Sequence, residues 1–363
     1  MLDDHAVSYG RQTNGKYIIL LLLLALASAF GAWAMEHKGE VQSALFRQLA
    51  TAQEPMDWQD APCNGASSVF GWEDGAVLLT EGVLYHLDQD GAITAQLDTG
   101  ETEIWPLSGS LPGAWSESTL YLWREDALTQ IPMETGILGA YANESRIAVI
   151  SKGSGYLTCT KILDMTGQEL GQIGLTDAAM TELVCTDEVL AGLCMEKSGQ
   201  WSLRLYDLFG VPQNEIPLDE AYRCHLVGAE QGFLMLGEHI VRMYDQNGKE
   251  TGRVTLREGT VSSGTMAGDT VAVLTDCGTS GILYFLSSSG SVLGKTTIPA
   301  PIRRVLAWED RVYVLDYQAL RGYDKQGGLL ATVKDGARAA DLGPSGSGLW
   351  LIGNGEISRQ PIS

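Results

Sequence analysis

Ser289 to Thr297 reads SGSVLGKTT, and Gly294-Lys295-Thr296 is the ending of a phosphate-binding loop. That chemistry needs a glycine five residues before Gly294, so that backbone amides can cradle the phosphates, and a helix whose N-terminus faces them. Ser289 stands where the glycine is required and the pattern around it is that of a turn and a strand, so nucleotide binding is not expected. His5, His37, His86, His225 and His239 are scattered, with no close pair of the kind that ligates a metal. His86 and His225 fall in strand-like runs, where a hydrogen-bonded structural role is expected. No G-x-S-x-G elbow occurs, and GPSGSG at Gly343 reads as a loop. Cys63, Cys159, Cys185, Cys194, Cys224 and Cys277 form no C-x-x-C, which argues against zinc or redox chemistry. Cys159, Cys185, Cys194 and Cys224 fall in predicted strands, so buried free thiols are expected, with disulfides open to an exported chain. Asp88-Gln89-Asp90-Gly91 begins like a calcium loop but lacks the further acidic ligands and the closing Glu. No catalytic, cofactor-binding or metal-ligating residue is assigned.

The elements that would carry any site are legible as a repeat. LYHLDQDGAITAQL starts at Leu84, LRLYDLFGVPQNEI at Leu203, IVRMYDQNGKETGRVTL at Ile240 and LRGYDKQGGLLATV at Leu320. Each is an apolar strand, a turn and a second strand. The turn glycine falls at Gly91, Gly167, Gly210, Gly248, Gly290 and Gly327, with Asp126 holding the place in the copy LYLWREDALTQI. A spacing of roughly forty residues is the period of a β-propeller, four short strands to a blade. Trp72-Glu73-Asp74 and Trp308-Glu309-Asp310 repeat six units apart as the turn after a first strand. An eighth copy, GLWLIGNGEISRQ from Gly348, runs to the end of the sequence without its outer strand. An open ring would leave strand edges unpaired. MDWQDA around Trp58 is expected to supply the missing strand, next to Ile357, giving an all-β propeller of eight four-stranded blades, or else seven. In the repeated Y-D-x-x-G the aspartate is expected to accept backbone hydrogen bonds and the glycine to take positive φ.

Through Tyr206-Asp207, Tyr244-Asp245, Tyr323-Asp324 and their following glycines, residues 57–363 resemble the quinoprotein-type propellers, whose blades carry a Y-x-x-D-x-x-x-G strand and turn. The fourth-strand Trp of that repeat is missing from most units. With its N-terminal apolar segment the chain also resembles a group of uncharacterised membrane-anchored propeller proteins of Gram-positive bacteria. The resemblance implies topology and fold, and no activity. A quinone-dependent dehydrogenase of that class would show an adjacent cysteine pair, and no Cys-Cys occurs.

Tyr17 to Ala34, YIILLLLLALASAFGAWA, holds no charge and is near the minimum for crossing a bilayer. Arg11 and Lys16 precede it and orient the N-terminus to the cytoplasm. Residues 1–16 then form a short cytoplasmic tail, 17–34 a signal-anchor, 35–56 a stalk with Val41, Leu45 and Leu49 on one helical face, and 57–363 the propeller outside the membrane. The alternative is secretion after cleavage near Ala34, since Ala32-Trp33-Ala34 has the small-x-small form that signal peptidase accepts. A hydrophobic content of 45% against 19% charged residues is that of a folded chain. The net charge of −21 argues against nucleic acid as a partner, because such a surface repels phosphate.

These observations point to a binding or scaffold module for a protein, a peptide or a cell-surface polymer, without catalysis or cofactor. The alternative is an extracytoplasmic enzyme, carbohydrate-active or quinone-dependent, with convergent carboxylates or a metal in the propeller funnel. Turns after first and third strands are short and uniform, whereas SKGSGY at Ser151, EKSGQW at Glu196 and DCGTSG at Asp276 vary. Variable loops on a rigid frame can be shaped for a ligand. Lys152, Tyr156, Lys197, Trp201 and Asp276 are therefore the candidate contact residues.

Overall fold

The repeated turn is built by its aspartate and its glycine. Between Ile240–Asp245 and Glu250–Thr255, Asp245 Oδ1 accepts the N–H groups of Asn247 and Lys249 at 2.9 and 3.0 Å. The same pair of bonds recurs at Asp88, Asp164, Asp207 and Asp324. The six marker glycines have φ between 74° and 86°, a region that residues with a Cβ rarely enter. Each turn joins the third and fourth strands of a sheet, as the repeat predicts.

The structure, a computed structural model, describes residues 56–361 apart from 65–66, 73–74, 125–126, 219–223, 230 and 347. The tail, the Tyr17–Ala34 segment, the expected stalk helix up to Pro55, Glu73-Asp74 and Asp126 lie outside the described residues. Among the described residues no helix is long and apolar enough to cross a membrane. Eight antiparallel sheets follow one another as the blades of a propeller: 68–98, 105–132, 137–175, 178–218, 225–255, 260–299, 302–333 and 341–361. Blade 2 is irregular. Its inner strand shrinks to Trp105–Pro106, and the next two-residue strand, Ser108–Gly109, crosses to pair in parallel with Tyr141 and Ala142 of blade 3.

Burial follows strand position. Gly75–Thr80, Ile147–Ser151, Gly232–Leu236 and Gly348–Ile352 are second strands with every residue buried, because a neighbouring blade covers each face. They read as unbroken apolar runs for that reason. Outer strands such as Glu250–Thr255 alternate between half-buried and exposed.

Adjacent blades meet through the turns. The marker turn of each blade lies on the outer strands of the blade before it: a Cβ at Gly248 would lie 2.8 Å from Leu205, and one at Gly327 2.7 Å from Phe285. The facing outer strand can be equally bare. A Cβ at Gly294 would come 2.0 Å from the Gln326 carbonyl oxygen, so the glycine of the GKT triplet serves blade packing. Lys295 Nζ meanwhile pairs with Glu258 at 2.6 Å.

The ring closes as the sequence predicts. Trp58–Asp60 pairs antiparallel with Glu356–Pro361 in the register Trp58↔Ser358, Gln59↔Ile357 and Asp60↔Glu356. Trp58 Nε1 donates to Asp335 Oδ2 at 3.0 Å, and the Arg338 guanidinium lies 5.1 Å from the Trp58 ring centroid. Cys63 Sγ donates to the Glu356 carbonyl at 3.2 Å. Deleting residues 52–62 removes the Trp58 contacts and the strand pairing and bares the edge of blade 8. Differential scanning calorimetry should show the midpoint fall by roughly 10 °C, the size expected for several kcal/mol in a domain of this class. An unchanged midpoint would mean that the strand is dispensable.

Candidate binding face

The eight inner strands line a central channel of about 960 Å³. Its charged lining residues are Glu182 on blade 4, Arg303 and Arg304 on blade 7 and Asp341 on blade 8. Blades 4 and 8 stand opposite each other in a ring of eight, so Glu182 and Asp341 face across the axis instead of converging as an acid–base pair. Glu182 is occupied: Oε1 lies 2.6 Å from His225 Nδ1, and Oε2 accepts the Leu226 N–H at 2.7 Å, tying blade 4 to blade 5. Among the described residues no group of three or more His, Cys, Asp and Glu side chains could hold a metal ion.

Among the described residues no disulfide joins the six cysteines, and all but Cys277 are buried. Burial pushes the thiols of Cys185 and Cys194 up to about 12, far from the range of a reactive thiolate. Cys159, Cys185 and Cys194 lie in strands as expected, whereas Cys224 directly precedes His225–Ala229.

Turns between second and third strands, with the connections between blades, make one face of the disc. Lys152 and Tyr156 sit in such a loop on blade 3 and Lys197 in the one on blade 4, where Trp201 opens the third strand; Asp276 closes the second strand of blade 6. The first four are therefore neighbours on adjacent blades, and Asp276 is set apart by blade 5. Lys152, Tyr156, Lys197 and Asp276 are exposed. Trp201 is half-buried, opposite Leu218 and packed on the core of blade 4.

The loops are held rigidly. The Tyr156 ring lies against Gly174, where an added Cβ would come 2.4 Å from it, and the Leu157 N–H donates to the Leu175 carbonyl at 2.7 Å. On blade 4 the buried Arg204 donates to Asp177 Oδ2 and to Glu196 Oε1, both at 2.8 Å. Glu196 also accepts the Ser202 hydroxyl, and the Lys197 N–H reaches the Asp177 carbonyl. One guanidinium thus locks the incoming connection, the end of the second strand and the loop that carries Lys197 and leads to Trp201. The Arg204 hydrogen bond holds Asp177 below the usual carboxylate range.

Around these residues lies an apolar patch of which sequence reasoning named Tyr156 alone. Trp105, Leu138, Tyr156, Leu157 and Met195 are each 40–45% exposed, and all belong to this face on blades 2 to 4. Trp105 stacks on Trp115 with ring centroids 4.6 Å apart. Elsewhere on this face, among the described residues, Tyr317 is the large apolar side chain left equally open; Ile93, Phe209, Val211, Val292 and Leu293 sit at the marker turns on the opposite face, spread over blades 1, 4 and 6. The missed signal was local. Met195 is the exposed residue of a strand that is apolar and buried from Leu190 to Cys194, and Leu138 occupies a bulge between Ile137 and Gly139.

Asp341 has a different character. Its side chain is one-fifth exposed, and burial raises its pKa despite Arg304 Nε at 3.7 Å. The folded protein therefore holds this proton more tightly than the unfolded chain does. The stability this confers is complete below the unfolded value of about 3.9 and is lost as pH rises through the folded one. Asp341→Asn should raise the thermal midpoint by a few degrees at neutral pH and leave it unchanged near pH 3, read by circular dichroism. An equal gain at both pH values would exclude ionisation as the cause.

No family profile and no curated protein sequence matches the chain. Solved structures share its fold. BamB from Moraxella catarrhalis superposes with a TM-score of 0.59 at 12% identity, covering 85% of this chain and 99% of that one. Saccharomyces cerevisiae Sqt1 gives 0.59 at 9% identity over 84% and 98%. A chain of the mitotic checkpoint complex gives 0.51 at 11% identity over 85% and 96%. At these identities the likeness is one of fold: the chain is an eight-bladed β-propeller of the architecture found in BamB.

Proposed function

We propose that this propeller is a binding module that holds a protein or peptide against the face formed by blades 2 to 4, with Tyr17–Ala34 anchoring it at the outer side of a cell membrane. One observation carries the binding reading: five large apolar side chains are left open on the same face of the adjacent blades 2 to 4, on strand ends and on a loop fixed by internal hydrogen bonds. A monomer gains nothing by exposing such a patch, whereas a partner that covers it removes apolar surface from water without first having to order the loops. Tyr156 and Trp201 offer broad contact with a polar tip, Lys152 and Lys197 flank them, and Asp276 lies at the periphery. One neighbour in fold belongs to a multiprotein complex, a use to which propellers lend themselves. The anchor is supported by the uncharged Tyr17–Ala34 run behind Arg11 and Lys16.

The partner is to be recovered by cross-linking on intact cells and its affinity measured on purified protein. Tyr156→Ala with Trp201→Phe should weaken binding by roughly thirtyfold, about 2 kcal/mol, while the thermal midpoint stays put. Phenylalanine is chosen at position 201 because Trp201 also packs on the core. Full binding by that variant, with loss in Glu309→Gln on the opposite face, would move the site there.

The topology has its own test. Protease added to intact, wall-stripped cells should digest residues 57–363, and survival of the whole domain until lysis would reverse the orientation.

A further inference from the structure

We infer that the segment held by this face is cationic as well as apolar: an amphipathic stretch of another protein with lysines or arginines flanking its apolar side chains. This rests on the binding reading above and specifies the partner. Two independent features carry it.

The first is a bulge. The inner strands of blades 3, 4, 6 and 7 shift register near their starts, turning out Leu138, Thr181, Ser262 and Arg303. A bulge re-aims one side chain and leaves it outside the ladder. Three of the four satisfy themselves. The Thr181 and Ser262 hydroxyls each donate to a carbonyl of the adjacent strand, Leu193 and Leu274, at 3.2 Å. Arg303 donates to the carbonyls of Ala337 and Ala339. In blade 3 the same position carries Leu138, which can make no such bond and is left exposed at the end of the blade that bears Tyr156 and Leu157. An apolar side chain has replaced a polar one where the geometry favours the polar one.

The second is charge. Glu101, Glu103, Glu117 and Glu134 belong to the turns and connections around blade 2 on this same face, beside Trp105 and Leu138. No ion pair joins any of them to a described residue, whereas Asp177 and Glu196 on blade 4 are taken by Arg204. Among the described residues of these blades Lys152 and Lys197 are the opposing cations on this face, so the described patch keeps a surplus of negative charge in a chain that already carries −21. Carboxylates that no described cation neutralises, Glu101 accepting only the Ser116 hydroxyl, favour beside an open apolar surface a ligand that brings cations, through faster encounter and rejection of anionic competitors. A second copy of this chain brings the same −21 and is repelled. The chain's own segment before Met56 starts from the far side of the ring, where Met56 packs among Tyr313, Leu320 and Leu349 of blades 7 and 8.

The test uses the full-length protein in detergent and three fluorescein-labelled peptides: an amphipathic helix of leucine, tryptophan and lysine, its counterpart with glutamate for lysine, and a scrambled form of the first. Fluorescence anisotropy is read at rising salt. The basic amphipathic peptide should bind, the other two should not, and its affinity should fall as salt rises. Glu103→Gln/Glu117→Gln/Glu134→Gln should weaken binding by roughly tenfold at low salt and flatten the salt dependence. Leu138→Ser/Leu157→Ser should abolish it at every salt concentration. Equal binding of the acidic peptide or of the scrambled form would overturn the inference, as would an unaffected glutamine variant. If the cross-linked partner responds to the Tyr156 and Trp201 changes and ignores the glutamine variant, the binding face stands and the cationic partner falls. If it ignores both, the face itself is wrong.

Discussion

Each blade rests on the one before it through a turn that has no room for a side chain. The turn must bring its backbone against the neighbouring outer strands, as Gly248 does against Leu205 and Gly327 against Phe285. It must also fold without help from bulk, so an aspartate carboxylate takes over the amides that a longer loop would leave to water. Because the contact repeats from blade to blade, the disc behaves as a chain of nearest-neighbour couplings, and the ring strand adds the coupling that joins its ends. Fully buried second strands follow from the same contact: once turns set the spacing, each blade is covered on both sides.

The frame was legible because this contact leaves marks in the sequence. Y-D-x-x-G recurs since Asp and Gly suit this turn best, with Ser287 taking the aspartate's part in blade 6, and the missing fourth strand after Glu356–Pro361 pointed to Trp58. Blade 2 was harder to read. Ser108–Gly109 leaves its own blade for the neighbouring one, and a two-residue strand has no periodicity to detect.

The face was half legible. Variable loops located Lys152, Tyr156, Lys197 and Trp201, which come together on adjacent blades, and Asp276, which does not. Leu138 and Met195 were invisible because an apolar residue in a strand reads as core; only a bulge, in one case, and a strand end, in the other, turns it outward. The Arg204 cluster was likewise hidden. Its members come from the connection at Asp177, the strand end at Glu196 and the strand residue Arg204, and no local spacing links them.

The closing strand also sets an order of events in time. Cys63 and Glu356, hydrogen-bonded in the finished ring, are 293 residues apart in the chain. As the polypeptide emerges, Trp58–Asp60 waits without its partner through the synthesis of seven blades, while the hairpins between can form as local units. For all that interval the nascent disc carries two raw edges, and the arrival of Glu356–Pro361 converts an open spiral into a closed ring. A chain stalled or trimmed short of Glu356 would thus hold seven blades and still be unlatched, open to pairing with the edge of another such chain.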